Sequence, residues 1–375
     1  MLEVRALLPE LMTNEPALSA IVLAAGEGTR MRSTRPKPLH VLCGKAMVLY
    51  VLDSLADLQL DRAVVVVGHG AERVTKKLSE SAADLPLEFV EQHQQRGTGD
   101  AVSVALTAFA DDPLDDDGSD VLVLPGDTPL LRRSSVLALV EAHRSSGAAC
   151  TLLTAVLDDA TGYGRVVRGR EGNVNRIVEH RDATAEELDI DEINTSIYCF
   201  RRSLLTPALR RVTPDNSQGE YYLTDVVEVL AEAGHMVGAV VCGDPLETAG
   251  VNDRRQLAVA EAELRRRTND AWLQAGVTMI DPDTTYIDST VRLAADVTLF
   301  PGVVLQGSTV IGEASEIGPG THLVDCVVGD RTEIEATVAR DADIGDDAVV
   351  GPFASLGPGA VVSSGTRTGP HYAAP

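Results

Sequence analysis

The stretch IDSTVRLAADVTLFPGVVLQGSTVIGEASEIGPGTHL, Ile287–Leu323, decides the fold of the C-terminal part of the chain. Stepping by six from Ile287 gives Leu293, Leu299, Leu305, Ile311, Ile317 and Leu323, all Ile or Leu. Four residues after each come Val291, Val297, Val303, Thr309, Ser315, Thr321 and Val327, which are small or β-branched. The phase slips to Val328 and Ile334 and resumes at Ile344, Val350, Leu356 and Val362, thirteen hexads in all. Neither the 3.6-residue turn of a helix nor the two-residue alternation of a strand yields a strict period of six. A stack of short strands joined by tight turns does, with the large aliphatic residue pointing inward and the smaller one in a cramped neighbouring position. An ordinary β-sandwich has nothing that demands the period. Gly312, Gly318, Gly329, Gly345, Gly351 and Gly357 directly follow inward residues, and positive φ is expected there.

This pattern resembles the hexapeptide repeat of left-handed parallel β-helices. The resemblance implies the left hand, since ordinary parallel crossovers are right-handed, and three hexads per turn give about four coils.

Upstream of the repeat, apolar runs alternate with helical stretches. The runs are AIVLAAG at 20–26, AVVVVG at 63–68, VLVLPGD at 121–127, TLLTAVL at 151–157 and MVGAVVC at 236–242. Met47–Leu58 and Asp100–Phe109 are helix candidates between them, and the polar stretch Asp253–Ala275 carries Leu257, Ala260, Leu264 and Trp272 at helical spacing. The alternation predicts an α/β domain, a Rossmann-like and mostly parallel sheet covered on both faces, with ligands at the carboxyl ends of the strands. The expected organisation is an N-terminal extension over 1–18, the α/β domain over 19–253, a linker helix over 254–276 and the β-helix over 277–375, with the boundary near Gly276.

Lys and Arg total 32 against 56 Asp and Glu, a formal charge of −24. A phosphate backbone would meet net repulsion, and no basic run extends beyond Arg265–Arg267, so a nucleic-acid partner is not expected. An anionic small substrate must instead be held by a few placed cations, helix N-termini or a metal. Five cysteines, Cys43, Cys150, Cys199, Cys242 and Cys326, show no C-x-x-C spacing, which argues against a zinc ribbon or disulfide framework and fits a reducing cytoplasm. The first residues lack a basic start and a long apolar run, and no run of eighteen apolar residues occurs, so neither export nor a membrane is expected.

The first apolar run ends in LAAGEGTRM, Leu23–Met31. Gly26 and Gly28 let backbone N–H groups approach phosphates and Arg30 adds a cation, although the segment matches neither the P-loop nor the G-x-G-x-x-G pattern and reads equally as a plain turn. RPKPLH holds Lys37 between two prolines that discourage helix, so its ammonium is either displayed from an extended segment toward phosphate or simply solvated. LPGDTPLL puts Asp127 immediately past an apolar strand, where a carboxylate either faces Mg²⁺ or closes an Asx turn before Pro129. GVNDR supplies Asn252 as a second candidate ligand, and Mg²⁺ takes few protein ligands.

In order along the chain, LAAGEGTRM, PKPLH, GKAM, QHQQRGTGDA, LPGDTPLL, TGYGR, IVEHRDAT, EINTS, GEYYLTD and GVNDR resemble the bacterial N-acetylglucosamine-1-phosphate uridylyltransferases over about residues 19–365. These are bifunctional enzymes with a left-handed β-helix behind a nucleotidyltransferase domain. The resemblance implies a transfer of uridylyl from UTP to N-acetylglucosamine-1-phosphate. Leu23, Ala24 and Gly26 would contact the nucleotide, Gln92, Gly97 and Thr98 would read uracil, and Arg30 and Lys37 would neutralise the triphosphate. Gly164, Glu179 and Asn194 would hold the sugar phosphate, and Asp127 with Asn252 would bind Mg²⁺. Bland readings stand beside these: Glu179 paired with Arg181, Asn194 capping a turn, Gly164 permitting a bend after Tyr163. Ser196 ends EINTS where the family has Gly, and Pro125 stands where a larger side chain is common. Transfer of glucose-1-phosphate, use of dTTP, or a non-catalytic scaffold are the competing readings.

The family's β-helix also transfers acetyl from acetyl-CoA. Here the repeat runs only to about Thr368, and Gly357 in LGPG replaces the phosphate-binding arginine of the family's L-R-P-G turn, so acetyl transfer is expected to be absent. A homotrimer packed through the β-helices is expected, with Phe300 and Leu323–Val328 leaving apolar surface.

Overall fold

A computed structural model describes residues 17–82, 84–110 and 119–374, so most of the expected N-terminal extension lies outside the described residues. The chain divides into two compact units. The first takes in Met1–Glu27, Pro36–Pro38 and Val51–Gly250, and the second takes in Gly28–Arg35, Leu39–Tyr50 and Val251–Pro375.

The first unit is built on a nine-stranded sheet. Its strands are β1 (Leu18–Ala24), β2 (Leu60–Val67), β3 (Leu87–Glu91), β4 (Asp120–Pro125), β5 (Cys150–Val156), β6 (Arg165–Arg168), β7 (Val174–Val178), β8 (Glu192–Arg201) and β9 (Val237–Val241). The order is β9-β5-β8-β4-β1-β2-β3, with β6 pairing β8 and β7. β1 lies parallel to both β2 and β4, and β2 lies parallel to β3. Val64, Val65 and Val66 are wholly buried, as expected of a strand covered on both faces. β8 runs antiparallel to β4 on one side and to β5 on the other, joining the parallel set β3-β2-β1-β4 to a second parallel pair, β5 and β9.

The five apolar runs are β1, β2, β4, β5 and β9. The helix expected over 47–58 ends at Asp53, and the one over 100–109 starts at Thr98 and tightens into a 3₁₀ turn over Leu106–Phe109. Lys37 departs from expectation: Lys37–Leu39 is a 3₁₀ turn, not an extended segment. Proline is tolerated early in such a turn because its missing N–H would be unpaired there anyway.

The second unit contains the helix Arg254–Gln274 and a parallel β-helix. Three sheets of five, six and five short parallel strands form its faces, so the stack holds about five coils, one more than the period suggests. The additional inward positions are Met279, Ala339 and Ala374, which a search for Ile, Leu and Val in one phase passes over. Coil length is 18 residues from Leu299 to Ile317, 17 from Ile317 to Ile334 and 16 from Ile334 to Val350. This shortening is the phase slip seen in the sequence. It also moves the cramped small position from Val327, which is 52% exposed, to the fully buried Cys326. Thr332, Thr337, Ala342, Ala348, Ala354 and Ala360 continue that buried series.

The glycines after inward residues serve a different purpose from the one expected. Among the six named above only Gly351 has positive φ. Left-handed backbone falls instead three residues after an inward residue at Asp296, Gly302, Ala314, Gly320, Arg331, Asp347, Gly359 and Gly365, and two residues after one at Gly307, Asp325, Ala336 and Asp341. At Gly312 and Gly329 the constraint is coil spacing: a Cβ would come within 2.5 Å of the Gly329 carbonyl carbon and 2.6 Å of the Asp346 nitrogen respectively. Of the stretch Leu323–Val328, where apolar surface was expected, Leu323, Cys326 and Val328 point inward and Val327 is the exposed apolar residue. Val310 and Val327 are neighbours pointing outward on one face, Val361 lies beyond Asp343 on the same face, and Ile280, Tyr286, Val338 and Phe353 are also exposed in the β-helix. Phe300 is only partly buried.

Candidate functional site

The parallel pairing of β1 with β2 and β4 gathers their carboxyl ends at one edge of the sheet. Two glycines let these ends close on one another. A Cβ on Gly68 would lie 2.6 Å from the Ala25 carbonyl oxygen and one on Gly126 would lie 3.0 Å from that of Leu23. The Gly126 N–H donates to that same Leu23 oxygen at 2.8 Å. Gly26, by contrast, has no protein atom within 4 Å of where its Cβ would be. Packing therefore does not require its bareness, which leaves the backbone after β1 open to a ligand. Leu23 is partly and Ala24 fully buried beside it.

Lys37 and Asp127 meet at this edge in an ion pair, with side chains 12% and 26% exposed. The lysine expected to face phosphate and the aspartate expected to face Mg²⁺ thus lie side by side. Burial and the Asp127 carboxylate raise the Tyr163 phenol, a neighbour that sequence reasoning treated only as a bend.

On the loop after β3, Gln92 is buried and its side-chain NH₂ donates to Asp100 Oδ2 at 2.8 Å and to the Gly97 carbonyl at 3.3 Å. Gln95 reaches the Ala25 carbonyl at 3.4 Å, which ties this loop to the turn after β1. Gly97 has φ of 112°, and a Cβ there would lie 2.4 Å from the Tyr221 carbonyl oxygen. Tyr221 brackets the segment: its N–H donates to Arg96 O at 2.8 Å and its carbonyl accepts from the Gly99 N–H at 2.8 Å. The Thr98 hydroxyl accepts from the Leu223 N–H at 3.1 Å. GEYYLTD is therefore a clamp on the start of the helix Thr98–Ala105, a role its sequence does not announce.

Gly164, Glu179 and Asn194 come together, as expected. The Asn194 N–H donates to the Gly164 carbonyl at 2.9 Å, and a Cβ on Gly164 would lie 3.5 Å from each Glu179 carboxylate oxygen. Burial pushes the Glu179 carboxyl up, partly offset by the Thr224 hydroxyl that donates to it at 3.2 Å. Glu179 does not pair with Arg181, whose guanidinium donates to Gln218. Asn194 is buried and also closes the turn that follows, accepting the Ser196 N–H at 3.2 Å. Ser196 has φ of 62° at a break in the β8–β5 register, which explains why Gly suits this position. Asp225, just past Thr224, is pushed up to about 6 by burial and by Glu228 and Asp182.

Arg30 and Asn252 belong to the second unit. Arg30 is exposed on the 3₁₀ turn Thr29–Met31, flanked by left-handed Gly28 and Arg32. The Arg254 guanidinium donates to the Met31 carbonyl at 3.1 Å, bringing that turn to the start of the helix Arg254–Gln274. Asn252 precedes this helix, with its N–H donating to Gln256 Oε1 at 2.7 Å, while Asp253 caps the first turn. His40 contacts Arg254 and is lowered by burial and by that cation, and His93 is exposed beside Glu91.

A mostly parallel sheet with a glycine-bearing turn after its central strand and a lysine–aspartate pair at the same edge fits a nucleotidyltransferase. The family model of the MobA-like NTP transferase domain matches residues 20–228. Curated relatives called bifunctional protein GlmU are similar over far more of the chain. That of Exiguobacterium sibiricum is 47% identical over 350 residues, 93% of this chain and 76% of the relative. That of Thermobifida fusca is 46% identical over 327 residues, 87% of this chain and 67% of the relative. That of Geobacillus thermodenitrificans is 44% identical over 327 residues, 87% and 69% of the two chains. The chain belongs to the GlmU family and is an enzyme of the nucleotidyltransferase class. Among the described residues no helix is long and apolar enough to cross a membrane.

Proposed function

We propose that the chain transfers uridylyl from UTP to N-acetylglucosamine-1-phosphate, releasing pyrophosphate, in a reducing cytoplasm. The observation that carries this reading is the Lys37–Asp127 pair beside the open backbone of Gly26. The acceptor phosphate is already an anionic oxygen, so its attack on the α-phosphorus of UTP needs no general base and no covalent intermediate. Neither His40 nor His93 is suited to that office: one is packed on Arg254 and the other faces solvent. The chain's own work is to bring two polyanions together and hold them in line. Lys37 neutralises triphosphate charge, the N–H groups after β1 orient it, and Gln92, Gly97 and Thr98 receive the base. Gly164, Glu179 and Asn194 hold the acceptor sugar. Arg30 and Asn252 enter the proposal through the family resemblance alone.

Asp127 fits Mg²⁺: it is a partly exposed carboxylate at a strand end, and phosphate and water complete the shell of an ion that takes few protein ligands. When bound, Mg²⁺ supplies charge neutralisation at the phosphates. Product formation is expected with UTP and N-acetylglucosamine-1-phosphate and to vanish in excess chelator. A panel with glucose-1-phosphate, dTTP and CTP measures the choice of substrates, and a preference for another pair would overturn the reading. In the same assay glucosamine-1-phosphate and acetyl-CoA are expected to release no free CoA, because Gly357 offers no cation where the family's β-helix has arginine. CoA release at the rate of uridylyl transfer would refute that part.

The outward pair Val310 and Val327 on one face, with Val361 beyond Asp343, supports a homotrimer assembled through the β-helix. Light scattering should give three times the chain mass, and Val327→Glu should lower it. A monomeric parent protein at micromolar concentration would overturn this.

A further inference from the structure

We infer that Asp100 is a positioning residue that fixes which face of the Gln92 amide is presented, and through it the choice of pyrimidine. The inference rests on the reading that Gln92 faces the base. A glutamine amide can offer either its oxygen or its NH₂ group, and a half-turn about its last bond exchanges them. Here that freedom is removed. The Gln92 Nε2 atom lies 2.8 Å from Asp100 Oδ2 and 3.3 Å from the Gly97 carbonyl oxygen. Both neighbours are acceptors, and a carboxylate or a carbonyl oxygen cannot donate in return. The two amide hydrogens are therefore spent on the protein and the carbonyl oxygen is the atom left to the ligand. Reversing the amide would set its oxygen against two other oxygens.

Asp100 is itself held. It is 9% exposed on the first turn of the helix Thr98–Ala105, and its other oxygen accepts from the Arg96 guanidinium at 2.7 Å. Gly97 is fixed in turn by the Tyr221 backbone, since its conformation and lack of a Cβ admit the Tyr221 carbonyl. Gln92 thus offers an acceptor, and only an acceptor, from a buried and preorganised position. A uracil or thymine ring has an N3–H to donate to it. A cytosine ring has a bare N3 lone pair at the same place, and two lone pairs facing one another repel. Arg96–Asp100–Gln92 is a relay in which only Gln92 meets the base.

The test is the ratio of kcat/KM for UTP to that for CTP. In Asp100→Asn the new amide can either donate to or accept from the Gln92 amide, so the shorter of the two contacts no longer sets its orientation and only the longer one to the Gly97 carbonyl does. The ratio is expected to fall about tenfold or more, chiefly through KM for UTP, while Asp100→Glu restores part of it. Arg96→Met removes an exposed side chain and loosens Asp100 without touching the core, and is expected to lower the ratio about twofold. An equal loss for UTP and CTP in Asp100→Asn, accompanied by a lower melting temperature, would mark a merely structural role and overturn the inference. An unchanged ratio in Asp100→Asn would do the same, and if that variant fails to fold, an unchanged ratio in Arg96→Met decides against it. Gln92→Ala separates the two levels. If it leaves the ratio untouched, the reading of Gln92 fails; if it lowers the ratio and Asp100→Asn does not, only the positioning role fails. In the double variant Gln92→Ala/Asp100→Asn the second substitution is expected to add nothing to the ratio.

Discussion

Asp127→Asn is expected to lower kcat/KM for uridylyl transfer by about 10³-fold, with unfolding free energy changed by only about 1 kcal/mol. The two effects separate because of where the residue sits. β4 is buried through Leu124, but the chain leaves the sheet at Gly126, so the Asp127 side chain is 26% exposed and fills no core space. Asparagine keeps its shape and removes its charge. Lys37 then loses its carboxylate partner and the phosphates lose the anion that the proposal assigns to Mg²⁺. Turnover by purified variant and parent, each titrated with Mg²⁺ and each melted, measures both quantities. A variant of full activity would take Asp127 out of the chemistry, and one that fails to fold would make it structural.

The second large effect is expected in the β-helix, where Leu305→Ala should cost about 3 kcal/mol. Leu305 is fully buried and stacks between Ile287 and Leu323 in successive coils of one face. Coils stacked in this way touch only their neighbours, so the void cannot be filled by rearrangement from afar. The same face shows the limit of such truncation. Two coils further along, Ala339 occupies the inward position, where Leu323 and Ala339 are 16 residues apart and the shorter coil encloses less space. Urea unfolding of the whole chain, with amide exchange followed at the Val303–Leu305 coil, measures the loss. A cost below about 0.5 kcal/mol would mean that the coil collapses around the smaller side chain.

The part of the fold with a strict chemical period was open to reading, and the part with irregular polarity was not. Ile287 to Leu323 repeat every six residues because each coil has three faces, and the apolar runs of β1, β2, β4, β5 and β9 are continuous because both faces of those strands are covered. β8 was missed as a strand. Its Asn194, Thr195 and Ser196 break the apolar pattern, and its pairing is interrupted where Ser196 turns left-handed. β3 was missed for the opposite reason: at the edge of the sheet it is only half-buried, and LEFVE has no apolar run. In the site, Lys37 and Asp127 were legible one by one, as a cation and an anion beside turn residues. Their pairing spans 90 positions and belongs to the tertiary fold. Tyr221, Thr224 and Asp100 were silent because each acts on a backbone or side chain that only folding brings near.

The antiparallel course of β8 has an evolutionary consequence. It is the seam of the sheet, joining β4 on one side to β5 on the other. Under the proposed roles, the donor contacts come from 23–127 and the acceptor contacts from 164–194, two contiguous blocks of gene on either side of one strand, with Tyr221 and Thr224 bracing one block each. Such a layout lets lineages revise the sugar they accept by changes confined to the later block, while the nucleotide they spend stays under separate inheritance. Acceptor diversity around a constant donor is the pattern of divergence this seam permits.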